Sequence, residues 1–70
     1  MKYAVVIEKA QSNYSAYGPD LPGCVATAAT VAEVEAQIRE AIEFHIDCMR
    51  QDGEAIPEPS SSVEYIAVAA

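Results

Sequence analysis

Residues 30–51, TVAEVEAQIREAIEFHIDCMRQ, decide the fold. Thr30 followed by Glu33 matches a capping box, in which a hydroxyl satisfies an early helix N–H and the acid reaches back to the cap. Turning each following residue by about 100° places Val31, Val34, Ile38, Ala41, Ile42, His45, Cys48 and Met49 on one face. Glu33, Ala36, Glu40, Glu43 and Asp47 fall opposite. Gly53 then supplies the left-handed conformation that ends helices. One helix with a single apolar stripe needs one surface to lie on, and the rest of the chain must provide it.

Upstream, Tyr3-Ala4-Val5-Val6-Ile7 is apolar on both alternating faces, as in a strand flanked by neighbours. Glu8 to Asn13 is polar and reads as a hairpin connection. Tyr14–Tyr17 is a short aromatic strand. Gly18 to Gly23 is dense in turn residues, with Pro19 and Pro22 fixing φ and glycines permitting φ > 0, so a stiff loop of defined shape is expected. Cys24–Ala28 is the third strand. Downstream, Glu54 to Ser62 carries Pro57, Pro59 and a serine triplet, and Val63–Val68 reads as a fourth strand.

The order β-β-β-α-β, with hairpin-linked strands and a right-handed helical crossover, predicts a two-layer α+β domain over residues 1–70. Its sheet order is 3-2-1-4, with the helix on one face and the other face bare. A partly apolar bare face calls for a partner, so a homo-oligomer (a dimer or tetramer) is expected.

Eleven acidic against four basic side chains give a formal net charge of −7. Phosphate backbones are held by Lys and Arg, and Lys2, Lys9, Arg39 and Arg50 are scattered along the sequence. Direct nucleic-acid binding is therefore not expected, whereas a basic protein partner suits the charge. Acidity that merely keeps the chain soluble is the plainer alternative. No apolar run nears the roughly 18 residues of a membrane span. No charged segment with a long apolar stretch precedes the first strand, and two cysteines make no disulfide framework, so the expectation is a cytoplasmic protein with free thiols.

Asp20-Leu21-Pro22-Gly23-Cys24, then Thr27, Thr30 and Glu33, then Glu40-Ala41-Ile42, and the Gly53 to Pro59 run together resemble the HicB antitoxin signature across nearly the whole chain. The resemblance implies a partial ribonuclease-H-like fold. It also implies a HicA-like partner, a small toxin that cleaves messenger RNA and is inactive in the complex. Ala28-Ala29 stands where many relatives carry Gly-Asp. Many relatives also continue into an operator-binding module, whereas this sequence stops at Ala70, so direct autoregulation is not expected. A stand-alone oligomeric binding module of the same fold is the competing reading, separated by whether a short basic HicA-like frame lies beside the gene.

Nuclease chemistry needs carboxylates converging on divalent metals. With parallel strands, Glu8 and Glu64 would sit at opposite ends, on the order of 15 Å apart at about 3.3 Å per residue, so no enzyme is expected. Cys24, His45 and Cys48 could gather as zinc donors, but they lack a fourth ligand and a Cys-x-x-Cys pair, and buried cysteines usually pack as small hydrophobes. No metal or cofactor is expected. Tyr3, Tyr14, Tyr17 and Tyr65 lie on strands, where they serve either as interface anchors or as ordinary packing. Asp20 is either a contact to a basic toxin or a turn-forming side chain. The partner-binding candidates are Tyr14, Tyr17, Asp20, Pro22 and Tyr65.

Overall fold

The computed structural model describes residues 1–69. Three strands and a helix follow in order: β1 (Val6–Lys9), β2 (Tyr14–Tyr17), β3 (Val25–Ala28) and α1 (Val31–Gln51). The strands form one antiparallel sheet of order β1-β2-β3.

The helix begins as its sequence dictates. The Glu33 backbone N–H donates to Thr30 Oγ1 at 3.1 Å, and the Thr30 hydroxyl donates to the Glu33 carboxylate at 3.0 Å. The acid thus closes on the cap's hydroxyl. At the other end Gly53 takes φ +71°. The Glu54 N–H reaches Met49 O at 2.9 Å and the Gly53 N–H reaches Arg50 O at 3.2 Å, the paired bonds of a Schellman termination.

The loop after β2 is built from two turns. Leu21 N–H donates to Gly18 O and Cys24 N–H to Leu21 O, each at 3.1 Å. In the second, Pro22 precedes Gly23 at φ +89°, the order a type II turn requires. Together they fold Leu21 inward until 1% of it is exposed. Ala16, Leu21, Cys24, Val34 and Ile38 form the buried core, against which Tyr3, Val5, Ile7, Tyr14, Ala26, Ala28, Ala41 and Ile42 pack.

Register assigns the faces, because residues directly opposed in an antiparallel pair point the same way. Ile7, Ala16 and Ala26 form one row towards the helix, and Lys9, Tyr14 and Ala28 another. Val6, Tyr17 and Val25 form a row on the other face, beside Glu8, Ser15 and Thr27. The helix lies over β3 and β2, so β1 is the strand it covers least.

Two expectations are corrected. Strand one starts at Val6 rather than Tyr3, because its partner β2 ends at Tyr17 and the chain turns away at Gly18, which leaves Tyr3 to Val5 without an opposing strand. No fourth strand pairs among the described residues, so the sheet is 3-2-1 rather than 3-2-1-4 and β1 is an edge. Every residue from 61 to 69 is exposed. A compact 70-residue chain has a radius of gyration of about 11 Å, and this one has 13.8 Å. Its long dimension of 48 Å also exceeds the roughly 31 Å of a 21-residue helix. The tail stands away from the body.

Candidate protein-binding surface

The structure distributes the five partner-binding candidates instead of gathering them. Tyr14 points to the helix side and packs against the core. Tyr17 lies on the bare face, 41% exposed, between Val6 and Val25, with Val25 67% exposed. Pro22 is exposed at its turn. Tyr65 projects from the tail at 96% exposure. The bare face therefore offers one apolar row of three side chains, with a polar row beside it, and no helix of the described residues covers it. Val6 and Val25 join Tyr17 here through strand register, a signal available only once the pairing is known.

Asp20 is engaged within the chain. Its carboxylate accepts the backbone N–H groups of Ser60 at 2.9 Å and Ser61 at 3.0 Å, and both serine hydroxyls, at 3.0 and 2.7 Å. The Ser61 backbone and hydroxyl bonds and the Ser60 backbone bond hold its pKa down, from 3.8 to about 2. The Tyr3 hydroxyl donates to Pro57 O at 2.6 Å, so the segment after the helix is pinned at two points. Because the folded pKa lies below the ordinary one, the clamp is at full strength above about pH 3.8 and is lost as pH falls towards 2. Ser60 and Ser61 amide shifts should titrate across that window by NMR, and Asp20→Ala should speed their hydrogen exchange roughly tenfold with the helix amides unchanged. Unaltered exchange would rule the clamp out in solution.

Three of the four cations meet in space. Lys2, Arg39 and Arg50 line one open groove between the N-terminal segment and α1, with Met1, Tyr3, Val5, Ile42, Glu43 and Ile46. Arg50 also lies 4.0 Å from Asp47. The groove exists because the helix sits over β3 and β2, leaving Ile42 and Ile46 half-buried beside the N-terminal segment.

The remaining chemistry is sparse. Cys24 is buried, burial raises its thiol pKa, and its Sγ faces Ala41 O at 4.0 Å. Among the described residues no three His, Cys, Asp or Glu side chains converge on a metal position. Glu64 lies on the exposed tail rather than on a strand, so the spacing expected between it and Glu8 does not arise. No helix among the described residues is long and apolar enough to cross a membrane.

Residues 3–69 match the family described as HicB_like antitoxin of bacterial toxin-antitoxin system. The chain belongs to the HicB-like antitoxin family. A UPF0150 protein of Archaeoglobus fulgidus is 39% identical over 80% of this HicB-like chain and 86% of its own length. The UPF0150 protein Ta0767 of Thermoplasma acidophilum is 36% identical over 87% of this chain and 90% of its own. An uncharacterized 14.9 kDa protein of Haemophilus phage HP1 is 38% identical over 94% of this chain, which spans only 50% of the phage protein. Among solved structures, a chain of a HicA3 and HicB3 toxin-antitoxin complex superposes with a TM-score of 0.71 at 28% identity, covering 86% of this chain and 70% of that one. The HicB-like family assignment and the three-stranded sheet under one helix thus agree.

Proposed function

We propose that this chain is an antitoxin that binds a small, basic, HicA-like RNA-cleaving toxin and holds it inactive, acting in the cytoplasm as a homo-oligomer without catalysis or nucleic-acid binding of its own. The observation that carries this reading is the likeness to a chain of a toxin-antitoxin complex, joined to an exposed apolar row on an acidic body. Val6, Tyr17 and Val25 would supply the apolar anchor and the net charge of −7 the attraction, since anchors set affinity and complementary charge sets encounter. Pro22, at the exposed turn beyond Tyr17, would extend the contact. The partial ribonuclease-H-like reading of the fold rests on the family resemblance, and this reading assigns the chain no nuclease chemistry.

The test is to look beside the gene for a short basic HicA-like reading frame, co-express it with this chain, and titrate the purified chain into an RNA-cleavage assay with that toxin. A stable complex and stoichiometric loss of cleavage are expected. A toxin that neither co-purifies nor slows in excess of this chain would overturn the reading and leave a stand-alone binding module.

A further inference from the structure

Two features lack partners among the described residues of one copy. The segment Val63–Val68 has strand composition yet stands in the open, with Tyr65 96% and Ile66 80% exposed. On the other side, β1 is paired only with β2. Just before β1, the N-terminal segment and α1 line a groove with Val5, Ile42 and Ile46 and with the charged side chains Lys2, Arg39, Arg50 and Glu43. An unpaired edge with apolar ground beside it is a template for a further strand.

We propose that Val63–Val68 of one copy adds to the β1 edge of a second copy and fills its groove, and that the exchange is reciprocal, giving a closed dimer in which each sheet reads 3-2-1-4 with strand four supplied in trans. This deepens the oligomer reading above and does not rest on toxin binding.

The path of the chain argues for a second copy. After the helix the segment meets Tyr3 at Pro57, beside the groove. Within three residues it has crossed to Asp20, beyond the end of β2, where a carboxylate clamps Ser60 and Ser61 through four hydrogen bonds. Beyond the clamp every residue from 61 to 69 is exposed, and none pairs with the chain's own β1 edge. The fit argues likewise. The only charge in Val63–Val68 is Glu64, an acid suited to a cationic rim, and the rest is apolar, suited to the floor. A basic toxin would meet three like charges against the single acid Glu43 at this groove. Each copy holds one donor segment and one acceptor edge, so twofold closure satisfies both without leaving an end for further growth.

The experiment uses the whole chain. Light scattering at micromolar concentration should report a dimer. In a sample mixed from isotope-labelled and unlabelled copies, filtered NOE spectra should show intermolecular contacts from Tyr65 and Ile66 to Ile42, Ile46 and Val5. Ile66→Pro removes a backbone donor from an exposed site that the monomer fold does not use, and it should weaken the dimer on the order of 100-fold with the helical circular dichroism unchanged. The inference fails if the contacts are intramolecular only. It also fails if the dimer persists undiminished in Ile66→Pro, which would point to the bare face as the contact. A tail that stays mobile in the free protein and orders only with toxin would overturn it too, while leaving the antitoxin reading standing.

Discussion

Leu21→Ala is expected to cost about 2–5 kcal/mol, the range for emptying a fully buried leucine site. The side chain is 1% exposed in a core of five buried residues. It enters from a loop whose two turns are locked by Pro22 and by Gly23 at positive φ, so the backbone has little freedom to collapse into the void. A 70-residue domain holds roughly 4–10 kcal/mol in all at about 0.05–0.15 kcal/mol per residue, and the loss is a large part of that. Urea unfolding followed by far-ultraviolet circular dichroism measures it as a lower midpoint. A midpoint equal to the parent's would mean that Leu21 does not anchor the loop.

Tyr17→Ala and Val25→Lys, made together, should weaken toxin binding by at least about 100-fold, since central apolar anchors each contribute on the order of 2 kcal/mol. The introduced lysine would also set a positive charge against a basic partner. Both side chains already face solvent and β2–β3 pairing uses their backbones, so the fold should survive, with an intact helical spectrum as the control. Calorimetric titration against the toxin supplies the number. Parent-like affinity would move the toxin contact off this face.

What the sequence made legible was local. Thr30, Glu33 and Gly53 mark the helix by chemistry within a few residues of its ends, and its bounds agree with the structure. The Tyr14–Tyr17 strand, short and aromatic between two turn-rich stretches, agrees as well. The misreadings all involve partners distant in the chain. Tyr3 to Val5 has strand composition but no opposing strand, because β2 stops at Tyr17. Val63–Val68 has strand composition, but Asp20 takes hold of Ser60 and Ser61 about forty residues away, and nothing near Asp20 announces that role. Lys2, Arg39 and Arg50 are far apart in the sequence and share a groove only after the helix settles over β2 and β3. Tyr14 and Tyr17, three apart on one strand, necessarily point to opposite faces, so the pair could never have formed a single anchor.

The five core residues run from Ala16 to Ile38, a window that a growing polypeptide finishes well before Val63 is made. Such short-range closure favours rapid collapse, and the strands and helix around it all lie between Val6 and Gln51. Shape is therefore acquired by a solitary chain in a first-order step, whereas anything done by the last strand-like segment comes afterwards. If that later step joins two molecules, its extent is governed by how many have accumulated, so cellular abundance would set the balance between single and joined forms.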